Sequence, residues 1–236
     1  MSALIASIAA SDEWQTMLDT LPDLPFATWE SFYATALTTL LALVIGLPLG
    51  VLLVVGDKNG LLPLPCWLMT ILNIVINLLR SVPFLILMIM VQPLAQLILG
   101  TTIGTVASIV PLVAASFPFV ARLVETSLRE VDGGVVEAAQ SMGATPFQII
   151  AKVMVPESMP SLISNVTIAL TTILSYSAMA GIIGGGGLGQ IAINYGYYRY
   201  KYLIMVVATA LLVILVQVFQ SVGTWLAVRC DKRLRK

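Results

Sequence analysis

The chain contains no histidine, only two cysteines and only 10% charged residues among its 236. Each scarcity closes off a class of chemistry. Without imidazole there is no histidine general base and no histidine-based zinc site. Cys66 and Cys230 form no metal-ligand spacing and give no reason to expect a disulfide. A soluble domain carries about 25% charge. Here charge is scarce, 58% of residues are hydrophobic and mean hydropathy is +0.98. Such a chain suits a set of membrane helices, each needing about 20 apolar residues.

Charge is also unevenly spread. Asp12, Glu13, Asp19, Asp23 and Glu30 all precede Lys58, the first basic residue. The chain closes on Arg229, Lys232, Arg233, Arg235 and Lys236, with Asp231 the only acid among them. Basic residues favour the cytoplasmic side, so the expected topology has the C-terminus inside and the N-terminus outside, which requires an odd number of spans. The opening MSALIASIAA lacks a basic segment and is not read as a cleaved signal. Three regions are expected: an acidic external segment over 1–28, a transmembrane domain over 29–228, and a basic cytoplasmic tail over 229–236.

The uncharged runs predict an all-α membrane protein. Tyr33 to Val55 reads as the first span, kinked at Pro48, with Gly46 and Gly50 allowing close helix packing. Residues 66–97 read as one long span kinked at Pro83, or alternatively as a separate span over 62–79 followed by another. The first reading gives roughly five spans, the second roughly six. Five agrees with the charge asymmetry. Thr102 to Val120, Pro160 to Ile183 and Tyr202 to Val228 complete the set. Tyr195, Tyr197, Tyr198 and Tyr200 are expected to form an interfacial aromatic belt.

Residues 122–157 are too polar to cross lipid and lie on the same side as the C-terminus. Val135 to Met142 is predicted helical, stopping at Gly143 as its C′ residue. Thr145, Pro146 and Gln148 then form an N-cap, an N1 proline and the third member of a capping box. Phe147, Ile150, Ala151 and Met154 share one apolar face at helical spacing. Pro156 is expected to end that helix and Pro160 to start the next span. A short helix pair along the membrane is suited to docking another protein.

Glu137-Ala138-Ala139, Gly143, Val153 and Val155-Pro156 resemble the EAA loop of bacterial ABC import permeases. That pattern is EAA, three residues, Gly, nine residues, then Ile-x-Leu-Pro, and both spacings match. The resemblance implies a cytoplasmic coupling helix seated in a cleft of a separate ATPase, with Glu137, Ala138, Ala139, Gly143, Ala144 and Pro156 at the coupling site. The runs RSVPF from Arg80, SMGATPFQI, SYSAMAGIIGGGGLGQ and NYGYYRY resemble the methionine-import subfamily over most of residues 29–228. This implies transport of methionine, in L and D forms, by two permease copies. Their implied partners are two cytoplasmic ATPase subunits that bind the ATP and magnesium, and an external binding lipoprotein. The implied location is the bacterial inner membrane. No cofactor and no nucleic acid are expected on this chain.

Ser175, Tyr176, Ser177 and Met179 are candidates for the translocation path, Met179 near a constriction, although small residues also serve helix packing. Arg80 is either a substrate counter-ion within a span or an interfacial residue that sets helix depth. Gly184 to Gly189 formally fits G-x-G-x-x-G, yet no strand–helix unit surrounds it, so a tight turn near a gate is the better reading. Two other functions compete with the permease. A secondary transporter would place acids in its spans, and the predicted spans hold none. A membrane enzyme would need a catalytic constellation, and none is visible. A passive pore, or an importer of another small amino acid or polar solute, stays open at this point.

Overall fold

The computed structural model describes residues 12–231. The opening MSALIASIAA and the tail residues Lys232, Arg233, Arg235 and Lys236 lie outside the described residues. Every regular element among those described is helical. α1 is Asp12–Thr20, and a 3-10 turn over Leu21–Asp23 leads into α2, Leu24–Val55. α3 is Cys66–Ser81, α4 is Phe84–Leu99 and α5 is Thr105–Arg129. α6 is Gly133–Ser141 and α7 is Pro146–Ile149. α8 is Val155–Ala180, α9 is Gly187–Ile191 and α10 is Tyr202–Cys230.

Among the described residues, four helical stretches are long and apolar enough to cross a membrane: Glu13–Val55, Thr105–Arg129, Pro146–Ile183 and Tyr202–Cys230. α3 and α4 pass the same test together but bend by 109° at Ser81–Pro83. The kink expected at Pro83 is thus a full break, because Val82 is extended (ψ 131°), as a residue before proline prefers. Contacts decide how that pair counts. Asp57, just after α2, meets Arg129, at the end of α5, at 3.0 Å. Two sites in contact at one membrane face are separated by an even number of crossings. α5 supplies one, so the α3–α4 pair supplies the other. Among the described residues the total is then five, the count favoured on charge.

The chain folds as two compact units. Of the described residues, the first holds those up to Thr38, Leu85–Leu112 and Thr172–Val218; the second holds Thr39–Phe84, Val113–Thr171 and those from Phe219 onward. In the first, Leu24, Ala27 and Leu188 are buried together, with Ile191, Val207 and Leu211 packed against them. In the second, Ala42, Val120, Val124, Leu128, Ile149 and Met154 belong to one buried cluster. Gly46 and Gly50 allow α2 to lie against α5 there. A Cβ on Gly46 would stand 2.8 Å from Val120 Cγ1, and one on Gly50 would stand 2.6 Å from Val124 Cβ.

Two expected boundaries move. α2 starts at Leu24 rather than Tyr33, and within the added turns the Thr28 and Thr35 hydroxyls donate to the Leu24 and Ser31 carbonyls. α5 runs past Val120 to Arg129, its terminal charges paired with one another. Glu30 and Glu125 therefore lie inside helices that carry spans.

Candidate functional site

The segment after α5 folds as the local signals predict, with one exception. Asp132 caps α6, its Oδ1 accepting the Gly134 N–H at 2.7 Å. α6 ends in a Schellman turn. The Gly143 N–H donates to the Gln140 carbonyl at 2.9 Å, and the Ala144 N–H donates to the Ala139 carbonyl at 3.2 Å. Gly143 takes φ +78°, and an added Cβ would meet no atom within 4 Å, so the backbone alone selects glycine here. Thr145 then caps α7. Its Oγ1 accepts from the Gln148 N–H, and the Gln148 side chain accepts from the Thr145 N–H, closing the capping box.

The exception is Pro156. It does not end the helix, and Pro160 lies inside α8 rather than at the start of a span. A π-helical turn over Ile150–Met154 joins α7 to α8, with the Val155 N–H donating to the Ile150 carbonyl. The wide turn makes room for a ring that would clash in a regular α-helix. It also shifts the phase of the apolar face. Ile149 and Met154, five apart, are buried, whereas Phe147 is 77% exposed and Ala151 is exposed. The face expected from Phe147, Ile150, Ala151 and Met154 is therefore split.

The candidate coupling residues fall on one continuous stretch. Glu137 and Ala138 are exposed on α6, Ala139 is buried, Gly143 is exposed, Ala144 is half-buried and Pro156 is exposed. Met142, 82% exposed, and Phe147 add apolar bulk on either side of Gly143. Neither was singled out as an exposed residue, because helical spacing alone does not say which face meets the core. Behind α6, a cavity of about 570 Å³ is lined by Asp57, Leu61, Arg129, Val136, Glu137 and Gln140.

The path candidates sit together on the last turns of α8, in the first unit. Ser175 and Met179 are exposed, Tyr176 is half-buried, and Ser177 is buried with its hydroxyl donating to the Leu174 carbonyl. Ser177 Oγ also lies 3.5 Å from Thr35 Oγ1. Arg80 belongs to the second unit, in the last turn of α3, and is exposed. Tyr197, Tyr198 and Tyr200 are exposed, and Arg199 stacks over Tyr195 at 4.9 Å.

Sequence reasoning missed Glu30. Its Oε1 accepts from Thr105 Oγ1 at 2.7 Å and its Oε2 accepts from the Gly187 N–H at 3.0 Å. Ser31 Oγ accepts the neighbouring Leu188 N–H at 2.9 Å. Gly186 and Gly187 take φ +75° and +70°, and a Cβ on Gly186 would collide with Thr105 Oγ1. The glycine run is thus a tight turn in which the Glu30 carboxylate holds the Gly187 N–H. Glu125 was also missed. It pairs with Arg122 at 2.6 Å and with Arg129 at 3.0 Å. The spacing Arg-x2-Glu-x3-Arg marks a helical face once α5 is known to continue through it.

Five spans and a doubly capped helix pair between the third and fourth of them describe the membrane component of a transport system. The chain belongs to the family of binding-protein-dependent transport system inner membrane components, which it matches over residues 46–236. It is a multi-pass permease subunit and not an enzyme. It is 53% identical over 208 residues to the probable D-methionine transport system permease MetI of Vibrio cholerae serotype O1, covering 88% of this chain and 92% of that one. It is 43% identical over 164 residues to the methionine import system permease MetP of Bacillus subtilis, covering 70% and 74%. Among solved structures, it superposes with a TM-score of 0.86 on a chain of the MetNI methionine ABC transporter in inward-facing conformations. That pair is 41% identical, over 89% of this chain and 96% of that one.

Proposed function

We propose that this chain forms half of the translocation path of an ATP-driven importer of methionine, in both L and D forms. The observation that carries the reading is the capped pair α6–α7, with Glu137, Gly143 and Pro156 at EAA-loop spacing, in a chain 53% identical to a methionine permease. The pair docks a cytoplasmic ATPase, which binds the ATP and magnesium. Glu137, Ala138, Ala139, Gly143 and Ala144 lie at the contact, Met142 and Phe147 add apolar anchors, and Pro156 fixes the joint into α8. The coupling segment faces the cytoplasm and the N-terminus faces outward, in keeping with the basic C-terminus. An external lipoprotein delivers the cargo.

Two copies complete the path. Met179 is 48% exposed on the surface of this chain and Ser175 is exposed beside it, so the wall they form needs a facing surface. A second copy about a two-fold axis along the membrane normal supplies one. Met179 narrows the path, Ser175 and Tyr176 line it with Ser177 packed behind them, and Arg80 sets the depth of α3 from an interfacial position.

The test is uptake of labelled methionine into proteoliposomes holding the chain, its ATPase and its binding protein. Uptake that requires ATP, and is lost in Gly143→Val while the chain still folds, is the expected result. ATP-driven uptake of another solute but not methionine removes the cargo and keeps the permease. Leakage of solute without any ATPase removes the importer.

A further inference from the structure

We infer that Glu125 is a positioning residue for energy coupling, the hub that fixes α3 to the helix entering the coupling segment. The inference rests on the permease reading above. Glu125 is charged yet buried on α5. Its Oε2 accepts from Nη1 of Arg122 at 2.6 Å, and its Oε1 accepts from Nε of Arg129 at 3.0 Å. Arg122 turns Nη2 toward the side-chain oxygens of Asn73 at 2.7 Å and Asn77 at 3.0 Å. These asparagines stand one turn apart on α3, so a single guanidinium grips that helix along one face. Arg129 reaches with Nη2 to Asp57 Oδ2 at 3.0 Å. One carboxylate thus holds two arginines, which in turn hold α3 and the loop after α2.

Packing alone does not call for this arrangement. A buried ion network is weak evidence of stability, since apolar side chains of similar size often serve as well. What charged, forked hydrogen bonds add is a fixed relative geometry. The network stands where such geometry matters. Arg129 is the last residue of α5, and Asp132, three residues on, caps α6. A push on α6 reaches the end of α5 and passes through Glu125 and Arg122 to α3. The far end of α3 is the 109° bend into α4. Without the hub, α5 moves and α3 need not follow.

The test uses the intact complex of this chain with its ATPase and binding protein in proteoliposomes, with labelled L-methionine uptake and ATP hydrolysis measured together. Glu125→Gln keeps the shape but removes the charge. Uptake per ATP is expected to fall roughly tenfold, within the usual span of coupling free energies, while hydrolysis stays within about twofold. The paired change Asn73→Ala with Asn77→Ala should shift the ratio the same way by less. Arg122→Leu with Glu125→Leu removes both partners at once and guards against a folding artefact; the complex should assemble and remain uncoupled. Wild-type uptake per ATP in either Glu125 variant would overturn the inference, as shape would then suffice. So would loss of uptake and hydrolysis together, in proportion to the complex recovered, since that marks a structural role. A wild-type complex that hydrolyses ATP without moving methionine defeats the underlying reading instead, before any variant is made.

Discussion

The glycine turn after α8 and the coupling segment after α5 are both irregular connections between long helices, and only the first is tied to residues far away in the chain. The turn at Gly184–Gly189 opens on local bonds, Gly184 N–H to the Gly181 carbonyl and Gly185 N–H to the Ala180 carbonyl, and is then also fastened from outside itself: Glu30 and Ser31, some 157 residues away in sequence, accept the N–H groups of Gly187 and Leu188. The coupling segment is fastened from within, by a Schellman turn and a capping box whose partners are at most five residues apart. Local fastening lets a segment keep its shape while it moves as a body. Remote fastening ties shape to the position of other helices. The docking role proposed for α6–α7 would benefit from the first, whereas the glycine turn is bound to α2 and α5 by the second.

Substitutions can break this contrast, beginning with the most damaging. Gly186→Ala forces a Cβ against Thr105 Oγ1 at φ +75°. Left-handed strain and overpacking together should cost about 3 kcal/mol, read as a lower melting temperature in detergent. Glu30→Ala leaves the Thr105 hydroxyl and the Gly187 N–H without their acceptor, a loss of about 2 kcal/mol in the same assay, and Glu30→Gln should lose less. In the coupling segment, Gly143→Ala meets no steric obstacle, so only the left-handed conformation opposes it, by about 1 kcal/mol. Thr145→Ala removes the cap of α7 for about 1 kcal/mol, seen as faster hydrogen exchange confined to 145–154. If Thr145→Ala loosened the glycine turn as well, the contrast would fail.

The smallest expected effect is electrostatic. The Arg129 guanidinium, and then the Lys58 N–H, hold the Asp57 carboxyl below its ordinary 3.8. A carboxylate with a lowered folded value stabilises above the unfolded value, and that contribution is lost as pH falls through the folded one. Asp57→Asn should therefore lower stability at neutral pH by no more than about 1 kcal/mol for so exposed a pair. It should cost nothing once pH is well below 3.8. A difference between the two proteins that persisted in acid would break the assignment.

Signals carried by neighbours in sequence were legible. Thr145-Pro146-Phe147-Gln148 predicted its own capping box, and Gly143 its own C′ turn, because both depend on bonds spanning a few residues. Charge counted along the chain favoured five spans, which the Asp57–Arg129 contact requires. Signals that depend on partners far away were not legible. Nothing near Glu30 says that its acceptors serve Thr105 and Gly187. Pro156 was misread for a related reason: proline rules describe α-helices, and the π turn over Ile150–Met154 places it where those rules do not apply. That extra residue of phase also puts Met154 on the buried face with Ile149, five residues before it. Arg80 could not be placed because apolar length does not reveal a bend of 109°.

The back-to-back caps around Gly143 carry one more consequence. Met142, Gly143, Ala144, Thr145, Gln148 and Ile149 all donate their N–H groups to acceptors within the segment itself. The surface offered for docking is therefore already folded before anything touches it. Ordering a loop on association costs conformational entropy, about 1–2 kcal/mol for each residue fixed. Here that cost is met during folding, so under the docking role proposed above the free energy of a contact at Met142 and Phe147 would go into holding the partner and not into shaping the chain.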